Sequence, residues 1–180
     1  GVKATFFVTN CNEDYTGCIG EIARRGHTVA IHSATHDYRA IYQSEEAYFA
    51  DLCRMQEIIF EQTGEYARLV RFPGGSSNTV SCYNPGIMSR LTSDLNDMGY
   101  AYFDWNVSAA DTASNATRYT VIENIKEGVP QHDYSVVLQH DTNGFSGDAV
   151  EEILAWGIQN GYSFRALDLT SPAVHHSVAN

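Results

Sequence analysis

Four short polar clusters, each at the C-terminal end of an apolar run, hold the residue types that do chemistry. They are His32-Ser33-Ala34-Thr35-His36, Arg71-Phe72-Pro73-Gly74-Gly75, Asp104-Trp105 through Asp111, and Leu138-Gln139-His140-Asp141. His32 and His36 lie four residues apart across small side chains, a spacing from which two imidazoles can grip one divalent cation. A bare pair at this spacing also caps or stacks without metal; its place at a strand end beside three other clusters favours ligation. His140 emerges from Val136-Val137-Leu138-Gln139. Imidazole suits proton transfer near neutral pH, and Asp111 or Asp104 could orient it. A packed core histidine and a third metal ligand are the competing readings of His140. The glycines after Arg71 let backbone N–H groups approach a bound oxyanion, and Arg71 itself has the fork that pairs a carboxylate. The competing reading there is an ordinary strand-to-helix turn with a surface arginine. His27 precedes its strand and reads as structural, and His132, His175 and His176 receive no chemical role. A metal-dependent hydrolase is the reading that uses all four clusters.

The elements that must position these clusters alternate, apolar strand-like runs with helical patterns, which predicts βα units and a parallel sheet. Strands are expected at Ala4–Thr9, Thr28–His32, Leu69–Phe72, Ala101–Asp104, Ser135–Gln139 and Ser163–Leu167. The clearest helix starts after Ser44, an N-cap followed by Glu45 and Glu46. It turns Tyr48, Leu52, Met55 and Ile59 to one face and ends at Gly64. A second opens at Asn84-Pro85 with Ile87, Leu91, Leu95 and Met98 inward and stops at Gly99. A third runs from about Gly147 to Gln159 with Val150, Leu154 and Ile158 inward. Six strands leave a barrel one short of closure, so the barrel is open or a strand belongs before Gly1.

The composition narrows the partners. One domain of 180 residues is long enough for a proper core. Eleven Lys and Arg stand against 22 Asp and Glu, a net charge of −11 without the basic footprint that nucleic acid requires. No apolar stretch reaches membrane-spanning length. Cys11, Cys18, Cys53 and Cys82 contain no C-x-x-C pair, which argues against a cysteine zinc site. Cys11 and Cys18 either close a short loop or, like the other two, remain free thiols.

In this order the clusters resemble the polysaccharide deacetylase family, the NodB-homology domains of carbohydrate esterase family 4. Ala4-Thr5-Phe6-Phe7-Val8 is similar to that family's second strand. Arg25-Gly26-His27 through His36 resembles its glycine-histidine lead-in and H-[ST]-x-x-H metal motif. Arg71-Phe72-Pro73-Gly74-Gly75 is similar to R-x-P-Y-G, Trp105 through Asp111 to its tryptophan–aspartate motif, and Leu138-Gln139-His140 to L-x-H. The resemblance implies a deformed (β/α) barrel of the NodB type, with six strands visible and the first missing. It implies removal of acetyl groups from N-acetylated glycans, peptidoglycan or chitin-like, or from the oxygens of xylan. By the same resemblance, His32 and His36 ligate a divalent metal, zinc or else cobalt, nickel or manganese. His140 is then the general acid, Arg71 orients the base, Asp111 tunes His140, Leu138 lines the acetyl pocket, and Trp105 and Gly74 face substrate.

Two departures matter. Gly74 replaces the tyrosine of R-x-P-Y-G, keeping a backbone N–H for the oxyanion while losing side-chain contact to sugar. The family's first motif, T-F-D-D-G, which supplies the base and a third ligand, does not occur. The chain therefore reads as one N-terminally incomplete domain over residues 1–180, or as a deacetylase-like carbohydrate-binding protein without its base. A metal phosphohydrolase is disfavoured by the lack of a phosphate-cradling loop with Lys. The expected partners are a glycan and, through the apolar edge of the Ala4–Thr9 strand, a second copy of the chain. The family implies an extracellular or cell-surface setting.

Overall fold

A computed structural model describes residues 1–180. The chain forms two compact units, residues 3–104 and 165–180 with Gly1, and residues 105–164 with Val2.

In the first unit, β1 (Thr5–Thr9), β2 (Thr28–Ser33), β3 (Leu69–Val70) and β4 (Ala101–Tyr102) form a parallel sheet in chain order. Phe6 lies opposite Val29, Ile31 opposite Val70, and Val70 opposite Tyr102. Parallel neighbours need crossovers. These are α1 (Cys18–Arg24), α3 (Glu45–Thr63) and α4 (Ile87–Asp97), with one short turn of helix, α2 (Tyr38–Ile41), between β2 and α3. The ends of α3 follow the local chemistry read from sequence. The Ser44 side chain accepts from the Ala47 N–H, and Gly64 closes the helix at φ +74, in the left-handed region that glycine tolerates. Tyr48, Leu52, Met55 and Ile59 are all buried. In α4, Ile87, Leu91 and Leu95 are buried as expected, but Met98 is exposed because the helix ends before it and Met98 serves as its cap.

Tyr48 holds a defect in this core. Its ring lies parallel to Tyr42, with centroids 6.1 Å apart, and meets Phe72 at 5.4 Å. Its hydroxyl is buried without a hydrogen-bond partner. Burial, with the charge of Asp51 added, raises the phenol well above its ordinary pKa. Tyr48→Phe keeps the ring and removes the unsatisfied group. It is expected to stabilise the fold by about 1 kcal/mol, seen as a Tm rise of about 2–4 °C by thermal denaturation.

The second unit pairs β5 (Val107–Ser108) with β6 (Val137–Leu138) in parallel and packs α5 (Arg118–Gly128) against α6 (Gly144–Gln159). A capping box of Thr117 and Thr120 starts α5. The buried residues of α6 are Ser146, Ala149, Ile153 and Gly157, whereas Val150 and Ile158 are exposed. The expected face is therefore off by about one residue. Small residues let this helix pack closely: a Cβ on Gly157 would lie 2.4 Å from the Phe164 ring.

Two strand expectations change. Ser163–Leu167 is not a strand, because hydroxyl groups hold it: Thr5 Oγ1 accepts from the Leu167 N–H, and Thr28 Oγ1 donates to the Leu167 carbonyl. The sixth strand is β5 instead, a two-residue ladder too short to show a period in sequence. All five residues of β1 are half-buried, since β1 is an edge that pairs only with β2.

Candidate functional site

The first unit carries the histidine pair. β2 ends at Ser33, and the chain turns through Ala34 and Thr35 around one carboxylate, Asp51 of α3. Asp51 accepts from Ser33 Oγ at 2.7 Å, Ala34 N at 2.9 Å, Thr35 N at 3.0 Å and Thr35 Oγ1 at 2.7 Å. Ser33 Oγ in turn accepts the His36 N–H. His36 sits at φ +53, one of only two non-glycine residues in the left-handed region; the other is Ala110, just before Asp111. Such strain survives only where the surroundings over-determine it, and it clusters at functional positions. Asp51 was missed in the sequence, where it reads as one more acidic residue on a helix. Asp51→Ala is expected to lose about 2 kcal/mol of stability and to weaken zinc uptake by the pair. Thermal denaturation and a zinc titration on the same samples would check both.

His32 points one ring nitrogen, Nδ1, at the Arg71 carbonyl 2.7 Å away. A carbonyl only accepts, so Nδ1 carries the proton and Nε2 carries the lone pair in the neutral ring. This is the arrangement by which an outer partner fixes the tautomer of a metal-binding histidine. The rings of His32 and His36 have centroids 5.1 Å apart and are inclined by 55°. Two imidazoles on one tetrahedral zinc, each bonded at about 2.0–2.1 Å, place their ring centres about 5 Å apart, so the pair fits two positions of such a site. Among the 180 residues no group of three or more His, Cys, Asp or Glu converges.

Arg71 is buried, which removes the surface-arginine reading. Nε donates to the Phe103 carbonyl and Nη2 to the Asp104 carbonyl, both at 3.0 Å, and the guanidinium lies 4.2 Å from the Phe7 ring centroid. Burial lowers Arg71 to about 10 against the opposing pull of Asp104, leaving it charged at neutral pH. The following turn needs two left-handed residues in succession, Gly74 at φ +76 and Gly75 at φ +79. A Cβ on Gly74 would meet Asn78 Cβ at 3.0 Å and Tyr38 Cε1 at 3.4 Å. Tyr38 thus stands where a side chain at position 74 would point.

Asp104 does not orient His140. Its carboxylate accepts from Ser76 N at 2.8 Å, Ser76 Oγ at 2.5 Å and His176 N at 2.8 Å. His176 also bonds Ser77 through Nδ1, and His175 stacks on Tyr102 at 3.8 Å while donating to its carbonyl, so both tail histidines pin the segment after residue 165. His27 is structural as expected, accepting the Ala4 N–H and meeting Phe6 edge-on. All four cysteines are free and exposed.

The second unit holds the other constellation. Asp111, 3 % exposed, faces His140 twice: Oδ1 lies 2.8 Å from Nδ1, and Oδ2 accepts the His140 N–H at 2.6 Å. Ser146 Oγ, completely buried at the start of α6, adds a third bond to Oδ2 at 2.7 Å. Burial alone would raise the Asp111 carboxyl, but the hydrogen bonds from Ser146 and His140 outweigh it and hold it below its ordinary range. With Nδ1–H given to Asp111, Nε2 is the nitrogen left to exchange a proton. Leu138, half-buried on β6, accepts the Ala109 N–H and so aligns the strand from which His140 emerges. Trp105, also half-buried, begins this unit. Ser146 was missed because its partner lies 35 residues away in the chain.

Parallel βα units with imidazoles oriented at strand ends define an α/β fold built to carry a site. The polysaccharide deacetylase family matches over residues 1–102. The catalytic domain of a peptidoglycan N-acetylglucosamine deacetylase from Eubacterium rectale superposes with a TM-score of 0.98 at 54 % identity, covering 99 % of this chain and 82 % of that one. The polysaccharide deacetylase Bc1974 of Bacillus cereus superposes at 0.77 with 26 % identity, over 96 % of this chain and 83 % of that one. A peptidoglycan-N-acetylglucosamine deacetylase of Bacillus cereus is 28 % identical over 170 residues, 91 % of this chain and 59 % of its own length. YheN of Bacillus subtilis, 25 % identical over 180 residues, is covered to 61 %, so the chain spans about three fifths of the length of these two curated relatives. The fold is of the NodB type, in the class of deformed (β/α) barrels. The chain belongs to the polysaccharide deacetylase family.

Proposed function

We propose that the enzyme to which this domain belongs hydrolyses the acetamido C–N bond of an N-acetylated glycan, peptidoglycan or chitin-like, releasing acetate and a free amine, with a divalent metal, zinc by preference; residues 1–180 by themselves, without the T-F-D-D-G motif that the resemblance makes the source of base and third ligand, are expected to turn over slowly. The observation that carries the reading is the Asp111–His140 pair, which commits Nδ1 and leaves Nε2 to protonate the leaving nitrogen. The names of the relatives in Bacillus cereus and in Eubacterium rectale support the same chemistry.

In this reading His32 and His36 would hold the ion, and a bound divalent ion supplies Lewis-acid polarisation and a more acidic water. Asp111 keeps His140 in one tautomer and offsets the positive charge that forms when the ring is protonated. Arg71 acts as a positioning residue through its main-chain and ring contacts, Gly74 offers a backbone N–H to the oxyanion, and Leu138 and Trp105 contact the acetyl group and sugar. With a wall polymer as substrate, the protein would act outside the cell or at its surface. No helix is long and apolar enough to cross a membrane.

The test is acetate and amine release from N-acetylated chitooligosaccharide, peptidoglycan and acetylxylan, with added zinc or cobalt. Amine formed in step with acetate from either N-acetylated polymer supports the proposal. Acetate from acetylxylan alone makes the chain an O-deacetylase. Glycan binding with no acetate from any of the three, also after an upstream segment carrying T-F-D-D-G is added, makes it a binding domain.

A further inference from the structure

The turns that follow β5 and β6 are both fastened to the first turn of α6. Asp111 lies just beyond β5 and His140 just beyond β6. Asn143, at the head of α6, donates from Nδ2 to the Asp111 carbonyl at 3.0 Å. Gln139 donates from Nε2 to the Ser146 carbonyl at 2.6 Å, and the Ser146 N–H bonds the Asn143 carbonyl at 2.9 Å. Ser146 itself is closed off from solvent, with Oγ 2.7 Å from Asp111 Oδ2. Ala110, at φ +51, turns the chain into Asp111, and its N–H is taken by Ser108 Oγ at 3.1 Å.

The direction of the serine bond follows from the carboxylate. An ionised carboxyl only accepts, so the Ser146 hydroxyl donates. Oδ2 then holds two donors, that hydroxyl and the His140 N–H at 2.6 Å. Oδ1 is left as the oxygen turned to the His140 ring, 2.8 Å from Nδ1. Held through Oδ2, the carboxylate is not free to rotate about its Cβ–Cγ bond, and the acceptor on Nδ1 decides which ring nitrogen carries the proton. The serine bond also favours the ionised carboxyl, against the burial that would raise it. Charges on the helices packed here are engaged elsewhere. Arg118 and Lys126 of α5 pair Glu152 of α6, and Arg118 also donates to the Asp148 carbonyl. Glu127, Asp148 and Glu151 are exposed, Glu123 is half-buried, and Asp141 beside His140 is exposed. The charge that acts on Asp111 is that of His140.

We infer that Ser146 is a positioning residue for proton transfer at His140, acting through Asp111: its hydroxyl occupies Oδ2, holds Oδ1 against the ring, and so leaves Nε2 as the exchanging nitrogen. Asn143 and Gln139 tie the serine to both strand ends, so the start of α6 sets the alignment of the pair. The inference rests on the deacetylation reading for the reaction served, while the alignment itself is measured without substrate.

The experiment is nitrogen-15 NMR of the His140 ring in the full chain, with a carbon-13 titration of the Asp111 carboxyl. His140→Gln and Asp111→Asn assign the two signals by their loss. The parent is expected to hold its neutral ring protonated at Nδ1 alone. Ser146→Ala should move the Asp111 titration upward and let the Nε2–H tautomer appear, whereas Ser146→Thr, which keeps the hydroxyl, should restore both signals. Ser146→Cys, a weaker donor of similar size, should fall between parent and alanine form, and it decides the question if Ser146→Ala does not fold. On an N-acetylated glycan Ser146→Ala should lower kcat about tenfold with KM nearly unchanged. An Nε2–H ring in the parent overturns the inference. So does a Ser146→Ala protein that melts lower but keeps both signals of the parent, since the serine then only packs. Shifted signals with no acetate from the parent, also with an upstream segment carrying T-F-D-D-G, uphold Ser146 as the residue that aligns His140 and remove the deacetylation reading. Acetate release at an unchanged kcat in Ser146→Ala removes the positioning role alone.

Discussion

His140→Gln is expected to lower kcat on an N-acetylated glycan by about 10²–10⁴, the range for loss of a general acid, with KM nearly unchanged. The ring sits on the C-terminal side of β6 with Nδ1 held by Asp111, so the variant removes a proton donor without emptying a core position. Asp111→Asn tests the same pair from the other side. It keeps one acceptor oxygen but places an amide against the Ser146 hydroxyl or the His140 ring, so His140 loses both its tautomer and its charge partner. Activity should fall nearly as far as in the histidine variant, with the pH profile displaced. The stability of this unit carries a second signature. Because the folded carboxyl of Asp111 lies below its ordinary value, its stabilisation is present above the ordinary carboxylate pKa of about 3.9 and is lost as pH falls through the lower folded value. Acid denaturation of the parent should therefore steepen below about pH 4, and Asp111→Asn should lack that component. Unchanged kcat in both variants would remove His140 from the chemistry.

Zinc binding should be lost in His32→Ala and in His36→Asn, each weakened by more than about 100-fold, beyond the 10–100-fold typical of an outer partner. Asparagine is the better probe at position 36, because φ +53 is a conformation that asparagine tolerates and most other residues resist. Retained stability in His36→Asn would then show that any loss belongs to the imidazole rather than to the turn. Two neutral imidazoles make a shallow site by themselves, since catalytic zinc normally takes three protein ligands. The parent is accordingly expected to bind zinc weakly, with the cobalt form reporting few protein ligands in its visible spectrum. Calorimetry and cobalt absorbance on parent and variants check this. A variant that binds zinc as the parent does would place the ion elsewhere.

Much of the arrangement was legible from local pattern. Ser44 and Gly64 bounded α3, the period of Tyr48, Leu52, Met55 and Ile59 found its buried face, and the four clusters were recognised at the ends of apolar runs. Each of these rests on interactions within a few residues, which sequence spacing encodes directly. The family resemblance was carried by the same clusters, and the match over residues 1–102 covers the first two of them.

The sequence by itself thus determined the βα alternation, the main helix boundaries and the residues able to do chemistry. Only the tertiary structure decided how those residues are used. It assigned Asp111 rather than Asp104 to His140, 29 residues away, and gave Asp104 to Ser76 and the tail. It revealed Asp51 under the histidine turn, buried Arg71 against Phe103 and Phe7, and turned the small residues of α6 inward. It also drew Tyr83 onto the carbonyls of Tyr38 and Arg39, more than 40 positions away. A carboxylate or hydroxyl has the same local propensity whichever distant donor it meets. Its partner is chosen by packing and by the cost of leaving a buried polar group unpaired, and neither is written in neighbouring residues.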